Sequence, residues 1–408
     1  MAKKAERNLI VALDIGTSKV AALVGEVNAN GTIEVIGLGT SPSKGLRRGV
    51  VVNLESTVQS IQKAVEEAEL MAGCQIVSVF AGIAGGHIKS LNSHGVVAIK
   101  DKGEVTQYDI DRVIDSARTV ALPADQGILH ILPQKFRIDG QEGIKDPKGM
   151  SGIRMEAKVH IVTGNVSALQ NITNCIRRCN LQVDDIVLEQ LASCYSVLTE
   201  DEKDLGVCLI DIGGGTTDIA IYVDGGLKHT AVIPIAGDQV TNDIAIALRT
   251  PTANAEEIKR NHACALTQMA AADGVIEVPS IGDRPPRKIS MQSLSEIIEP
   301  RYAELLVLVE EELQRSGLKP MIRGGIVLTG GSSKAKGLVE LAEEILHKSV
   351  RLGGPEHVMG LAEVVKNPIY STAAGLLLYG KEHEAGNITA AGKTSWFEKI
   401  KNWLVGNL

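Results

Sequence analysis

Three kinds of hydrophobic spacing run along the chain. Compact apolar runs read as buried strands: 9–13, 20–24, 76–80, 207–210, 219–223 and 325–329, with 157–163 as a further strand. Apolar positions three and four apart, with charges between them, read as amphipathic helices. The clearest lies over 50–72, where Val58, Ile61, Val65 and Ala68 share one face. The same spacing predicts helices over 108–119, 166–180, 189–199, near 238–248, 254–263 and 293–316, and over 338–346 and 371–380. Residues 138–153 are rich in turn formers, and Arg284-Pro285-Pro286-Arg287-Lys288 is a basic turn.

One strand–turn–strand pattern occurs twice. Asp14-Ile15-Gly16-Thr17-Ser18 follows the first apolar run and Asp211-Ile212-Gly213-Gly214-Gly215-Thr216-Thr217 follows the fourth, each leading into a new strand. This is one long-period duplication, too wide for a solenoid, and it predicts two similar α/β lobes facing each other. The first lobe core is assigned to 1–83 and 164–205, with a small α+β subdomain inserted at 84–163. The second lobe core is assigned to 206–237 and 319–380, its last helix free to pack on the first lobe, with a second insertion at 238–318. Residues 381–394 are polar and rich in Gly, Ala and Thr, which predicts a flexible linker. A terminal helix over 395–408 follows.

Composition narrows the class. The 408 residues suit two to three domains of about 150 residues each. With 44% apolar and 22% charged residues, the chain is no disordered, collagen-like or disulfide-stapled sequence. A net charge of -7 ranks nucleic acid low as a partner. The six cysteines sit mostly in apolar stretches and read as reduced buried thiols; Cys175 and Cys179 share a helix face if that segment is helical but have no neighbouring His or Cys cluster. The charged start, 1–9, lacks the apolar core of a secretory signal. No window reaches the roughly 18 apolar residues that a spanning helix needs. The chain is expected in the cytosol or on a membrane from the cytosolic side.

The glycine turns carry the candidate chemistry. A phosphate needs several backbone N–H donors close by, and glycine lets those amides converge because it has no Cβ. Asp14 and Asp211 each end a strand at such a turn, so two carboxylates from facing lobes can hold a hydrated Mg²⁺ that bridges phosphates. Thr17, Ser18, Thr216 and Thr217 add hydroxyls, and Lys19 can neutralise phosphate charge. A third turn, Gly330-Gly331-Ser332, suits a flat base or ribose packed on backbone. Either hairpin alone also suits a plain structural turn; the matched pair with the third turn favours a nucleotide. Asp218 suits a hairpin cap and takes no catalytic role. Gly375-Leu376-Leu377-Leu378-Tyr379-Gly380-Lys381 imitates seven positions of a P-loop, but Glu382 stands where Ser or Thr would bind magnesium, so this segment reads as core helix.

The C-terminal segment stands apart. Both tryptophans of a chain with 3% aromatics lie there. Trp396, Phe397, Ile400, Trp403 and Leu404 fall on one helical face, flanked by Lys399 and Lys401, and Ser395 with Glu398 has the form of a capping box. Tryptophan favours the headgroup boundary and lysine favours anionic lipid. The segment is expected to lie on a membrane surface; docking on the protein's own core is the competing reading.

With these motifs in place, the chain resembles the actin-like ATPase superfamily and, within it, the FtsA family of bacterial division proteins, over 9–408. The most specific segments are 12–19, 136–141 continuing through 146–152, 297–302 and the C-terminal helix. The resemblance implies an actin-like fold of two duplicated lobes, each a sheet flanked by helices, and ATP with Mg²⁺ as ligand. It implies a first phosphate loop at Asp14, Gly16, Thr17, Ser18 and Lys19, and a second at Asp211, Gly213, Gly214, Gly215, Thr216 and Thr217. Gly330, Gly331, Ser332 and Lys334 match the adenosine turn, and Glu256 and Lys259 the helix that contacts adenosine. Glu189 matches the position facing the metal and the attacking water, the candidate for slow hydrolysis. Arg301 matches a position implicated in the docking of the FtsZ C-terminal peptide on the second insertion, with a helix-surface salt bridge as the competing reading.

The implied role is a polymer on the inner face of the cytoplasmic membrane at the septum. It would tether FtsZ filaments there, assemble the Z ring and recruit later division proteins. The alternatives are a small-molecule kinase of the superfamily, which needs a catalytic Asp beside the γ-phosphate and for which the sequence shows no signature, with Asp184 and Asp185 left open, and a pilus-assembly relative.

Overall fold

The computed structural model of the chain describes residues 8–100, 103–282, 284–361, 364 and 366–389. The first lobe opens with β1 (Leu9–Ile15), β2 (Lys19–Val27) and β3 (Ile33–Pro42), joined as an antiparallel meander. A two-residue hairpin, β4 (Leu46–Arg47) and β5 (Val50–Val51), precedes α1 (Leu54–Ala72), and β6 (Ser78–Ile83) then pairs in parallel with β1. The helix predicted over 50–72 starts later because Asn53 caps it: the Asn53 side chain accepts a hydrogen bond from Ser56 N. It stops at Gly73, whose φ is +63°.

The inserted subdomain holds β7 (Lys89–Ala98), α2 (Gln107–Arg118), β8 (Gln126–Ile138), β9 (Gln141–Ile144) and β10 (Arg154–Asn165). Its strands form one sheet in the order β7-β10-β8-β9. Helix α2 lies directly on β7, since a Cβ on Gly95 would come within 2.1 Å of Val113 O. The chain returns to the first lobe as α3 (Val166–Arg178), β11 (Gln182–Leu188), α4 (Glu189–Val197) and α5 (Glu200–Leu205).

The second lobe begins with β12 (Val207–Ile212), β13 (Thr217–Val223) and β14 (Gly226–Ile233). Its insertion comprises α6 (Gly237–Leu248), α7 (Thr252–His262), the hairpin β15 (Val275–Val278) and β16 (Arg287–Ser290), and α8 (Met291–Ser316). Then follow β17 (Ile326–Thr329), α9 (Leu338–Leu346), β18 (Val350–Leu352), β19 (Val358–Gly360) and α10 (Ser371–Thr389).

The duplication is visible in the sheets. The first runs β11-β6-β1-β2-β3 with β19 added outside β3, and the second runs β18-β17-β12-β13-β14 in the corresponding sense. In each, three consecutive strands are antiparallel and two more join in parallel beside the first of them, and β19 adds a further parallel strand to the first sheet. β1 and β12 are central strands packed on both faces, which is why they read as unbroken apolar runs.

Two boundaries differ from the sequence reading. The second lobe does not keep β19, which pairs with β3; α10, left free to pack on the first lobe, does so, with Ala373, Ala374, Leu376, Leu377 and Tyr379 in the first-lobe core. The segment predicted as a linker from 381 begins as helix, because α10 runs on to Thr389. Gly380 does not stop it; a Cβ there would lie 2.8 Å from Ile10 and Phe80, so glycine serves close packing. The P-loop look-alike is helix in the same way, with Gly375 so near α4 that a Cβ would lie 1.7 Å from Ala192 O.

Candidate functional site

The two glycine turns meet between the lobes. A Cβ on Gly214 would lie 1.9 Å from Ser18 Oγ, and one on Gly215 would lie 2.6 Å from Thr17 Oγ1. Glycine therefore lets the second-lobe turn approach the first closely. Gly213 N donates to Thr216 O to close the second turn, and Thr17 Oγ1 accepts from Gly49 N. Ser18 Oγ reaches Asp238 Oδ1 at 3.4 Å, across the cleft. Asp238 stands at the start of α6, whose amide donates to Gly214 O.

Four carboxylates face one another below these turns. Asp14 and Asp211 are the penultimate residues of β1 and β12, Asp218 is the second residue of β13, and Glu189 begins α4. Asp211 Oδ2 accepts from Ser193 Oγ at 2.6 Å and from Thr372 Oγ1 at 3.3 Å. Burial pushes the Asp211 carboxyl up to about 6, against the pull of the Ser193 hydrogen bond. Burial, then the Asp211 charge, pushes Asp218 up to about 8, although Thr216 Oγ1 donates to its Oδ2. Asp14 is also raised by burial, with Lys19 opposing. Glu189 is raised well above the ordinary carboxyl range by burial first and then by Asp14, Asp218 and Asp211.

Lys19 is the cation of this cluster. Its Nζ donates to Ile369 O at 2.8 Å and lies 4.3 Å over the Tyr370 ring. Burial lowers its pKa while Asp14 and Asp211 hold it up.

The third turn and α7 complete the cleft on the second-lobe side. Gly330, at φ +87°, is pressed against Asp211: a Cβ would lie 2.3 Å from Asp211 Oδ1. Gly331–Lys334 forms one 3-10 turn, and Ser332 Oγ donates to Gly213 O at 2.8 Å. Tyr302 OH donates to Ser332 O. Lys259 Nζ donates to Gly237 O at 2.9 Å and pairs with Glu256 Oε2 at 2.7 Å. Thr241 Oγ1 donates to the same Glu256 oxygen. Glu256 and Lys259 thus brace the wall beside the third turn.

Several partners escaped sequence reasoning. Ser193 lies one helical turn beyond Glu189, a spacing that places both on one face of α4. Thr372 and Asp238 carry no local signal. Asp218, read as a cap, proves to be only 4% exposed, and its Oδ1 has no hydrogen-bond partner.

Other predicted residues lie elsewhere. Arg301 is gripped by Asp243, with Nε to Oδ2 at 2.6 Å, and also pairs with Glu304. Asp185, left open as the catalytic Asp of a kinase, accepts from Tyr379 OH at 2.8 Å and from Ile186 N, away from the turns. Trp396, Phe397, Lys399, Ile400, Lys401, Trp403 and Leu404 lie outside the described residues. No described helix is long and apolar enough to cross a membrane.

Solved structures place this architecture. A chain of the PilM-PilN type IV pilus biogenesis complex aligns at TM-score 0.66 and 17% identity, covering 91% of this chain and 98% of that one. MreB 5 of Spiroplasma citri bound to AMPPNP aligns at 0.59 and 16%, covering 94% and 99%. A chain of the MamK double helical filament aligns at 0.53 and 14%, covering 91% and 98%. The duplicated lobes have the actin-like fold, and a profile described as the SHS2 domain inserted in FtsA matches residues 85–163.

A profile of cell division protein FtsA matches residues 208–375. The FtsA of Pseudomonas aeruginosa is 62% identical over 417 residues, spanning 100% of both chains, and that of Escherichia coli K12 is 48% identical over 99% of each. The chain belongs to the FtsA family of cell division proteins.

Proposed function

We propose that the cleft binds ATP with Mg²⁺ and that the nucleotide-bound chain polymerises on the inner face of the cytoplasmic membrane at the septum. There it tethers FtsZ filaments and recruits later division proteins. The observation that carries the nucleotide reading is the meeting of two duplicated glycine turns, each with a strand-end aspartate at its foot. Asp14, Gly16, Thr17, Ser18 and Lys19 would take one side of the phosphates, and Asp211 and Gly213–Thr217 the other. Gly330, Gly331, Ser332, Lys334, Glu256 and Lys259 would take the nucleoside.

The donor set suits a magnesium ion. Burial raises Asp14, Asp211, Asp218 and Glu189 together, and one buried Asp218 oxygen has no partner, so a cation there would favour the ionised acids. Among the described residues no three His, Cys, Asp or Glu side chains form a direct metal site. Asp14 and Asp211 would therefore hold the ion through water. When bound, the ion neutralises phosphate charge. Glu189 is the candidate base for a slow hydrolysis. ATP then acts chiefly as a ligand that biases lobe closure and assembly.

Family membership supports the division role, and the solved MamK filament supports assembly as something this fold does. The FtsZ C-terminal peptide would dock on the second insertion at Arg301, whose guanidinium suits an acidic peptide. The C-terminal stripe from Trp396 to Leu404 supports membrane residence. Sedimentation of the full chain with MgATP, anionic liposomes and an FtsZ tail peptide tests the whole. Joint pelleting that needs MgATP is expected. A folded chain that retains no labelled adenine nucleotide overturns it.

A further inference from the structure

The residue before Glu189 is held from an unexpected direction. β11 is the edge strand of the first sheet, paired on one side with β6, where Leu188 faces Ile83. Its outer edge lies against β8 of the inserted subdomain. There Leu188 N donates at 3.0 Å to His130 Nε2, a ring nitrogen in place of a strand carbonyl. Leu188 is also the N-cap of α4, and it offers no side-chain cap to the helix that begins at Glu189. The His130 bond is thus made at the residue from which Glu189 projects.

The local fold is shaped to make this bond. The β8–β10 ladder slips at this place: Val162 pairs with His130 and Thr163 with Ile128, leaving Leu129 as an extra residue. Such a bulge re-aims the side chains beside it. Leu129 joins the first-lobe core and His130 turns to Leu188. Burial pushes the ring down to about 4, against the pull of Asp185, so His130 is neutral and keeps an acceptor nitrogen. Tyr379 of α10 packs edge-on against His130 at 6.2 Å and donates to Asp185, three residues before Leu188 on the same strand. His383 in turn stacks on Tyr379 at 3.7 Å.

We propose that His130 is a positioning residue for Glu189: the inserted subdomain sets the start of α4, and so the candidate base, through the hydrogen bond from Leu188 N to His130 Nε2. The proposal rests on the reading of the cleft as an ATP site and deepens it. Displacing the subdomain would loosen Glu189 without touching the residues that hold the nucleotide.

The test uses the full chain with His130→Leu, which removes the acceptor, and His130→Gln, whose amide oxygen can replace Nε2. Single-turnover ATP cleavage, nucleotide affinity and hydrogen exchange at the Leu188 amide are measured for each. The Leu variant should bind ATP within about threefold of wild type but cleave bound ATP about tenfold more slowly. Its Leu188 amide should exchange about tenfold faster, with the Gln variant recovering most of both losses. Cleavage at the wild-type rate by a folded Leu variant overturns the proposal, as does a Gln variant that melts like wild type without recovering. A wild-type chain that retains no nucleotide sinks the ATP reading instead. In that case, and for a chain that binds without cleaving, exchange alone decides: a Leu188 amide as protected in the Leu variant as in wild type overturns the role of His130.

Discussion

Ser193, on a first-lobe helix, donates its hydroxyl at 2.6 Å to Asp211, at the end of a second-lobe strand. It thereby stabilises the ionised carboxylate, which burial pushes up to about 6. Ser193→Ala leaves Asp211 with the longer Thr372 contact at 3.3 Å. The carboxyl should rise further, so the acid limb of MgATP binding should move to higher pH. Loss of one hydrogen bond to a charged group should weaken binding by about tenfold near neutral pH. Titration calorimetry across pH checks both shifts, and an unchanged acid limb removes Ser193 from the site.

Asp218 sets a pH dependence of stability in the opposite sense from a salt-bridged acid. Its folded value, about 8, lies above the ordinary 3.8. Between those values the native chain holds a proton that the unfolded chain has released. Stability therefore falls as pH rises through that window. Asp218→Asn keeps the neutral shape and removes the titration. The variant should gain on wild type as pH rises, by an amount on the order of a few kcal/mol at full effect. Urea midpoints of the two proteins at about pH 5 and about pH 8 measure the difference. Parallel pH profiles would show that Asp218 is ionised in the native state.

How much was legible follows from what each strand packs against. β1 and β12 are buried on both faces, so their apolar runs and the aspartate–glycine turns behind them stand out in sequence. β7 has only Gly95 fully buried among ten residues, and β8 carries Pro133 and His130 in mid-strand, so neither shows a clean period. The aspartates and glycines of the cleft were legible because one turn carries them together. Ser193, Thr372 and Asp238 reach it from distant elements, where only the fold brings them in. The helix past 380 was missed because a polar segment with a glycine pair reads as linker. Tyr379 and the close approach of Gly380 to Phe80 anchor its start to the first lobe.

Arg301 separates a structural pair from a docking residue. Its side chain is 28% exposed and that of Asp243 is 27% exposed. A pair this accessible contributes about 1 kcal/mol or less, so Arg301→Ala should hardly change the melting temperature. If the guanidinium also receives a carboxylate of the FtsZ tail, the same change should weaken that peptide about tenfold. Asp243→Asn should act oppositely and strengthen the peptide severalfold, because the guanidinium then keeps only Glu304 as a carboxylate partner among the described residues. Fluorescence anisotropy with a labelled tail peptide reads both variants. Equal affinity for wild type and Arg301→Ala would move the docking site elsewhere on the second insertion.

Removing residues 396–408 should separate the membrane from the nucleotide. The cut falls beyond α10, which is described through Thr389 and whose buried face includes Leu376, Leu377 and Tyr379, so the first-lobe core keeps its last helix. ATP affinity should stay within about twofold of the full chain. The deleted stripe supplies five apolar anchors, Trp396, Phe397, Ile400, Trp403 and Leu404. Each would contribute roughly 1.5–3 kcal/mol if buried in a membrane surface, before ordering costs, so a single segment would bind weakly and reversibly. Assembly would gather many such segments on one scaffold and raise their joint affinity. Flotation of the full chain with anionic liposomes should therefore steepen with protein concentration and with MgATP. The truncated chain should remain at the bottom of the gradient under both conditions while still retaining nucleotide. A truncated chain that floats would place the membrane contact on the globular lobes.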